Sequence, residues 1–210
     1  MKSNKTREKI LDSSLKLFNE KKASNVSTVQ ISTAMKISPG NLYYYFANKE
    51  ELIRCIWEER MVVEVKEVFE AHKDITEIGD AFNIFEQYVA HCVKYKFFYT
   101  ELPTLFTNDE KLAADCREVL KSNLRITEEM IGSLISVGLV REMEEEEKGL
   151  LAENCRIISR SAVISYDISE NRNRDEAAYR AMALLSALFN PYATDKMKED
   201  VKRELSVRKP

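Results

Sequence analysis

The sequence predicts an all-α protein of about nine or ten helices. Apolar residues recur at intervals of three and four over most of the chain, which is the spacing of one helix face. The 210 residues include only 5 Gly and 4 Pro, and 44% of them are hydrophobic. This composition favours helices and supplies enough apolar material for a hydrophobic core.

Capping and helix-breaking residues divide the pattern into elements. Two very short helices lie between residues 27 and 46. Pro103 predicts a kink or a new helix within residues 97–106, and Gly138 is a natural C-cap for the helix before it. The longer predicted helices cover residues 4–20, 49–72, 77–96, 109–138, 147–168, 174–190 and 195–207.

Residues 27–51 are the most informative segment of the chain. Ser27 followed by Gln30 fits a capping box at the start of the first short helix. Ser38 is a favourable N-cap, and Pro39 suits the first position of the second short helix. Two short helices joined by a tight turn are typical of a helix-turn-helix, whose second helix lies in the major groove of DNA.

The second short helix has two different faces. Leu42 and Phe46 are four residues apart and point inward together, whereas Gly40 allows a close approach of the backbone to a phosphate or base edge. Asn41, Tyr43, Tyr44 and Tyr45 take the remaining directions, so at least two tyrosines point outward, and Tyr45 fits a structural role best. The alternative interpretation is a surface helical hairpin with some aromatic packing.

Three strings within residues 6–53 carry a resemblance to a known family. They are the amphipathic string 6–18, the string Ser-Thr-Val-Gln-Ile-Ser at 27–32, and the string Ile-Ser-Pro-Gly-Asn-Leu-Tyr-Tyr-Tyr-Phe-Ala-Asn-Lys-Glu-Glu-Leu-Ile at 37–53. The region from Thr6 to Glu51 resembles the DNA-binding domain of TetR-family (tetracycline-repressor-like) regulators. The resemblance implies a helix-turn-helix domain over residues 1–47 and a larger helical domain for ligand binding and dimerisation over residues 48–210.

The resemblance and the outward face together indicate the DNA-binding residues. Thr28, Ser38, Gly40, Tyr44 and Lys49 are expected on phosphates. Asn41 and Tyr43 are expected nearest the base edges, with Val29 or Gln30 assisting. Pro39 completes the predicted set, although many members have Lys or another polar residue at its position, so reading of the operator there is in question. Lys36 also departs from the family, which usually has Gly in the turn. Either the lysine adopts a positive φ, which costs on the order of 1 kcal/mol, or the turn has a different shape.

The charge distribution favours a DNA-binding N-terminus. The whole chain has a net charge of −3, but residues 1–49 contain nine basic and three acidic side chains, a net charge of +6. The remaining residues therefore carry −9. A basic module on an acidic body suits phosphate binding at one end, although chance clustering of charge is the alternative.

Several other classes of function find no support in the pattern. The chain contains no Ser-His-Asp arrangement, no HExxH motif, no P-loop and no paired Glu-x-x-His motifs, so we expect no enzyme and no cofactor. The four cysteines lack metal-ligand spacing and are interpreted as buried thiols, with a redox-sensing pair as the minor alternative. The acidic run 142–147 is interpreted as a solvated loop that favours the following helix N-terminus. No stretch approaches membrane-spanning length, and no apolar signal core is present, so a cytoplasmic location is expected.

The resemblance implies a pocket for a small-molecule effector in the larger domain. Five side chains from Phe85 to Tyr99 recur at spacings of three or four and would form one helical stripe. Such stripes are often plain core, but several tyrosines and a histidine need polar partners, which a pocket supplies. The predicted pocket residues are Trp57, Met61, Phe85, Tyr88, His91, Cys92, Tyr95, Tyr99 and Phe106.

The last long helices mix small residues with Leu and Ile, which allows close approach of helices. In the family such helices pair as a four-helix dimer interface, and burial inside the monomer is the alternative. The predicted interface residues are Ile157, Ser161, Ile164, Ala181, Leu184, Leu185 and Leu188.

The function expected from these observations is a ligand-responsive transcriptional regulator. It would bind a pseudo-palindromic operator on double-stranded DNA as a homodimer, act as a repressor, and be released by a small molecule. The competing interpretation is a helical protein-interaction module without sequence-specific DNA binding. The sequence leaves open the effector, the operator and the choice between repression and activation.

Overall fold

The computed structural model describes residues 2–70, 75–168 and 174–210, with the backbone only for residues 2–4, 162–168, 174 and 177. Its helices are α1 (Lys2–Lys21), α2 (Thr28–Ala34), α3 (Pro39–Tyr45), α4 (Lys49–Ile56), α5 (Val62–Glu70), α6 (Ile78–Lys94), α7 (Lys96–Asn108), α8 (Glu110–Ser136), α9 (Glu145–Ile168), α10 (Arg174–Phe189) and α11 (Asp195–Val207). The only bridge in the described residues is an isolated antiparallel one between Val140 and Ala193. The predicted all-α fold with an N-terminal helix-turn-helix is confirmed.

The chain forms two compact units. The first contains residues 1–64 and 95–117, and the second contains residues 65–94 and 118–210. The first unit therefore includes α7 in addition to the predicted domain of residues 1–47, whose boundary at 47/48 stays a prediction. Among the described helices, none is both long and apolar enough for a membrane crossing.

The core of the first unit forms around α1. Ile10, Leu11 and Phe18 are fully buried on that helix, as are Ile31 of α2 and Leu42 of α3. Burying one such side chain contributes about 1.5–3 kcal/mol. Because α2 and α3 have only seven residues each, this burial, and not helix propensity, keeps them folded.

The turn between α2 and α3 is a Schellman motif with lysine in the glycine position. The Lys36 N–H donates to the Thr33 carbonyl at 3.1 Å, and the Ile37 N–H donates to the Ser32 carbonyl at 3.0 Å. Lys36 has a φ of 56°, so the strained conformation considered from the sequence is the one adopted. The same motif ends α8, where Gly138 occupies the equivalent position with a φ of 73°.

The helix predicted over residues 49–72 is helical from Lys49 to Glu70, but it contains a π-helical turn that the sequence did not indicate. α4 ends at Ile56, a π-helical turn covers Trp57–Met61, and α5 follows; residues 71 and 72 lie outside the described part. The turn places the Trp57 ring in a stack on Phe98, with centroids 4.8 Å apart. It also brings Glu59 to Arg7 of α1, whose hydrogen bond lowers the pKa of the Glu59 carboxyl. A π-helical turn contains one residue more than an α-helical turn, and these tertiary contacts explain why it forms here.

The helix predicted over residues 77–96 ends two residues earlier, at Lys94. The aromatic stripe from Phe85 to Tyr99 is therefore not continuous. α6 ends at Lys94, and Tyr95 has non-helical backbone angles as the N-cap of α7. The Phe97 N–H donates to Asn19 Oδ1 at 3.1 Å, and the Tyr95 hydroxyl donates to Glu64 at 2.8 Å. These contacts with α1 and α5 supply the reason for a break that no Gly or Pro marks.

Pro103 does not start a new helix, because α7 continues through it to Asn108; the kink, which was the other predicted outcome, stays a prediction. Proline removes one helical N–H, but Leu102 and Leu105 on either side are buried and hold the helix in place. Asp109 then caps α8 as expected, with its carboxylate accepting from the Leu112 N–H at 3.1 Å.

The second unit is built from α6 and from α8 to α11. Thr194 caps α11, and its hydroxyl also donates to the Gly138 and Leu139 carbonyls, at 3.0 Å each. At the far end of α11, Arg208 donates to Glu86 and Asn83 of α6 and lies over the Phe82 ring. The C-terminal helix is therefore fixed at both ends.

The four cysteines are free thiols, three of them buried. Burial raises the pKa of Cys55 to about 11, and that of Cys116 and Cys155 to about 12. The three thiols are therefore protonated at neutral pH, and protonated thiols react slowly with oxidants and alkylating agents.

Replacing Lys36 by glycine should stabilise the protein. Glycine relieves the positive φ, and we expect a gain of about 0.5–1 kcal/mol in the free energy of unfolding. Lys9→Gly is the matched control, because Lys9 is exposed inside α1 and the same change there should destabilise by about 1 kcal/mol. Urea unfolding midpoints give both values. Equal destabilisation by the two substitutions would show that Lys36 is not strained.

Candidate DNA-binding surface and ligand cavity

α3 is anchored on one side and open on the other. The Asn41 N–H donates to the Ser38 side chain at 3.2 Å, which caps the helix, and Leu42 is completely buried. The opposite face projects Tyr44, which is 78% exposed, and Tyr43, which is 49% exposed. Asn41, Ser38, Pro39 and Gly40 are exposed as well. Tyr45 is half-buried and packs edge-on against Tyr44, as expected for the structural member of the three tyrosines.

α2 begins with the predicted capping box. The Ser27 N–H donates to the Gln30 side-chain oxygen at 2.8 Å, and the Gln30 N–H donates to the Ser27 hydroxyl at 3.2 Å. The Gln30 oxygen is therefore engaged in the cap, and its amide nitrogen remains the group available to a base edge. Val29 is exposed, while Ser32 turns inward beside Ile31.

A hydrogen bond joins the two short helices across their outward faces. The hydroxyls of Thr28 and Tyr43 are 2.9 Å apart, and either oxygen can be the donor. Tyr43 is thus held by its hydroxyl. This contact fixes α3 relative to the start of α2.

Lys49 closes the other side of this surface. Its ammonium donates to the Ala23 carbonyl at 2.8 Å, which leaves two of its three N–H donors for other partners. Thr28, Tyr43 and Lys49 line one open cleft of about 430 Å³ together with residues 24–27, Ala47 and Asn48. Hydroxyl, amide and ammonium groups around an open cleft are suited to a phosphate group.

The second unit contains an apolar cavity of about 160 Å³. Its volume is close to the roughly 150 Å³ of an engineered apolar cavity that binds benzene. Aromatic, aliphatic and methionine side chains form most of the wall: Phe69, Ile78, Phe82, Ile84, Phe85, Tyr88, Leu120, Met130, Ile131, Leu134, Met182, Leu185, Phe189, Met197 and Val201.

Few polar groups reach this cavity. They are Asn123, Thr127, Arg156, Ser159 and Ser186, and Cys155 and Ala81 complete the wall. The Thr127 and Ser159 hydroxyls donate to carbonyls of their own helices, at 2.9 and 2.6 Å. Within the described lining there is no carboxylate, and Arg156 is the charged residue. Such a wall suits an apolar molecule that is neutral or anionic.

Two of the nine predicted pocket residues, Phe85 and Tyr88, line this cavity. The other seven lie elsewhere. Trp57, Met61 and Tyr95 are buried in the first unit, Tyr99 and Phe106 are half-buried on α7, and His91 and Cys92 are buried on α6 without lining the cavity. The lining residues contributed by α5, α8, α9, α10 and α11 were missed, because amphipathic helices that line a cavity have the same spacing as helices that fill a core.

The predicted interface residues differ in exposure. Ile157 is 48% exposed and Leu184 45% exposed, and Ser161 is also exposed. Leu185 and Leu188 are half-buried, Ala181 is fully buried, and the Ile164 side chain lies outside the described part. Leu185 belongs both to the cavity wall and to the predicted interface.

Comparison with known proteins gives two family matches. The family model described as bacterial regulatory proteins of the tetR family matches residues 10–56. The model described as a bacterial transcriptional repressor, TetR, matches residues 60–201. Together they cover the helix-turn-helix and most of the remaining chain.

Solved structures with the same fold span nearly the whole chain. A TetR-family transcriptional regulator from Marinobacter aquaeolei VT8 is 27% identical, with coverage of 98% of this chain and 99% of that one and a TM-score of 0.89. The ketosteroid regulator KstR2 of Mycobacterium tuberculosis is 15% identical, with coverage of 90% and 96% and a TM-score of 0.70, and shows the fold alone.

A curated relative matches the N-terminal part. The HTH-type transcriptional regulator AcrR of Shigella flexneri is 38% identical over 53 residues, and the matched region spans 25% of each chain. The helix-turn-helix geometry, the two family models and the structural likeness agree. The chain belongs to the TetR family and is a DNA-binding transcriptional regulator.

Proposed function

We propose that this regulator is a homodimeric repressor that binds a pseudo-palindromic operator and is released by a small apolar molecule. The observation that carries the proposal is the outward face of α3, where Tyr43, Tyr44 and Asn41 are exposed while Leu42 anchors the helix. A helix of this kind fits the major groove, in which each base pair presents a distinct pattern of donors and acceptors.

The polar groups around α3 divide between phosphates and bases. Thr28, Ser38, Gly40, Tyr44 and Lys49 would contact the backbone, and the positive charge of residues 1–49 would attract it over a longer range. Asn41 would read a base edge, with Tyr43, Val29 and the Gln30 amide nitrogen beside it. Pro39 would pack without a hydrogen bond. Each well-placed base contact is worth about 1–3 kcal/mol of discrimination.

Dimerisation would use α9 and α10. Leu150, Ile157 and Leu184 are exposed on these helices, and a second copy is the natural partner for apolar side chains that the monomer leaves in water. Ser161, Ile164, Ala181, Leu185 and Leu188 would complete the interface. A two-fold dimer presents its two α3 helices to half-sites of an inverted repeat, which explains the pseudo-palindromic operator.

The cavity of the second unit is the proposed effector site. Its apolar wall, with Arg156 and without a carboxylate in the described lining, favours neutral or anionic apolar molecules over cations. The SmeT–triclosan complex, which has a TM-score of 0.66 at 17% identity and coverage of 91% of this chain and 93% of that one, is a fold neighbour whose name records a small aromatic ligand. The effector would release DNA by binding more tightly to the DNA-incompetent conformation.

Substitutions on α3 should separate affinity from sequence preference. Tyr44→Ala should weaken binding about tenfold or more on every duplex, and Tyr44→Phe should do the same if the hydroxyl makes the phosphate contact. Asn41→Ala should change which base pair is preferred at one position of each half-site. Gel shifts on an in vitro-selected duplex and its single-base variants measure both effects. Asn190→Ala, an exposed amide outside the first unit, is the control; unchanged binding by all three α3 variants would refute the assignment.

A charge in the proposed interface should produce monomers. Leu184→Glu places a carboxylate among apolar side chains of both subunits, so we expect a monomer by light scattering at micromolar concentration. Val207→Glu makes the same change at a residue that is 78% exposed on α11, and this variant should stay dimeric. A dimeric Leu184→Glu protein would place the interface elsewhere.

Three compounds that share a phenylpropyl group and differ in charge test the effector site. 3-Phenylpropanol and 3-phenylpropanoate should raise the melting temperature and release the selected duplex, whereas 3-phenylpropylammonium should do neither at equal concentration. Ser186→Phe fills the cavity and should abolish both effects. Equal stabilisation by the ammonium compound, or undiminished effects in the filled variant, would contradict the proposed site.

A further inference from the structure

A buried carboxylate of α7 contacts the backbone just before the helix-turn-helix. Glu101 is only 7% exposed. Its two oxygens accept from the Ala23 N–H at 2.5 Å and from the Ser24 N–H at 3.1 Å. The contact joins residues 78 positions apart within the first unit. Hydrogen bonds from backbone N–H groups to a carboxylate are among the stronger ones in proteins.

The segment that Glu101 contacts depends on other elements for its conformation. A single 3₁₀ turn, Ala23–Asn25, joins α1 to α2, and it follows Lys22, which has a φ of 68°. Non-glycine residues in that region persist only where the surroundings impose the conformation. On the other side, Lys49 of α4 donates to the Ala23 carbonyl at 2.8 Å. Side chains of α7 and α4 therefore fix the peptide groups before and after Ala23.

The turn lies directly at the proposed phosphate cleft. Ser24 lines that cleft, and so do Thr28, Tyr43 and Lys49. We propose that Glu101 is a positioning residue for DNA binding. It holds the 3₁₀ turn, and through the Ala23 peptide it places Lys49 and the start of α2 where a phosphate can reach both. This inference rests on the proposed DNA-binding surface and adds α7 to it, without any contact between Glu101 and DNA.

The position of α7 does not require this charge. Phe97, Phe98, Leu102 and Leu105 of the same helix are buried in the first unit and are sufficient to anchor it. A buried carboxylate is costly to desolvate unless hydrogen bonds compensate. At Glu101 these hydrogen bonds come from the turn, so the charge serves the turn and not the anchoring of the helix.

Glu101→Gln tests the proposal, because the amide retains one acceptor and loses the charge and the second acceptor. Glu64→Gln is the matched control, since Glu64 is a half-buried carboxylate of the same unit that accepts from the Tyr95 hydroxyl and does not line the cleft. We expect Glu101→Gln to weaken binding of the selected duplex at least tenfold. The salt dependence should lose about one unit of slope, which corresponds to one phosphate contact. Glu64→Gln should leave both quantities unchanged at a temperature where each variant is folded.

Two further readouts distinguish positioning from general stability. Amide exchange of Ala23 and Ser24, followed by NMR, should accelerate in Glu101→Gln and not in Glu64→Gln. In a Lys49→Met background, Glu101→Gln should weaken binding by less than about threefold, because the contact that it positions is already absent. If Glu101→Gln does not fold by circular dichroism, Glu101→Asp, which keeps the charge on a shorter side chain, replaces it.

The outcomes separate this inference from the proposed function. Unchanged affinity and salt slope in Glu101→Gln, alongside weakened binding by Tyr44→Ala, would overturn the role of Glu101 alone. Unchanged affinity in both variants would overturn the DNA-binding surface, and the role of Glu101 with it. A tenfold loss without any change of slope would also contradict the inference, because the lost contact would not be to a phosphate.

Discussion

The burial of Leu42 and Phe46 is the interaction on which the DNA-binding unit depends. α3 has seven residues, which is too few for a stable isolated helix. Its geometry therefore comes from these two anchors, the Ser38 cap and the Thr28–Tyr43 hydrogen bond. Once the anchors point inward, Asn41, Tyr43 and Tyr44 have no direction left but outward. Their exposure follows from the packing of the opposite face.

The remaining elements of the first unit support that arrangement from several sides. α1 packs against α2 and α4, and its Arg7 lies over the Phe46 ring. The π-helical turn brings Glu59 to the same arginine. α7 contributes Glu101, and Asp109 before α8 pairs with Arg54 of α4. The structure of the DNA-binding unit thus depends on residues far beyond the helix-turn-helix. Polar contacts at the edge of this unit determine the positions of the side chains that line the cleft.

The accuracy of sequence prediction varied with the range of the interactions. The capping box at Ser27, the C-cap at Gly138 and the α11 boundaries depend on neighbours within a few residues, so the sequence predicted them correctly. The π-helical turn at Trp57 and the break at Tyr95 depend on side chains dozens of residues away. The cavity wall was accessible only in part, since Phe85 and Tyr88 were predicted and the contributions of α5, α8, α9, α10 and α11 were not. No local sequence pattern indicates that Glu101 is buried, because one Glu in an amphipathic helix is normally a solvated residue.

The central claim is that two copies of α3, related by a two-fold axis, read DNA sequence in the major groove. In vitro selection of binding sites from a random duplex library tests it most directly. We predict an enriched inverted repeat whose half-site centres lie one helical turn or more apart on the same face of the duplex. Enrichment of a direct repeat, of a single half-site, or of no sequence at all would contradict the account.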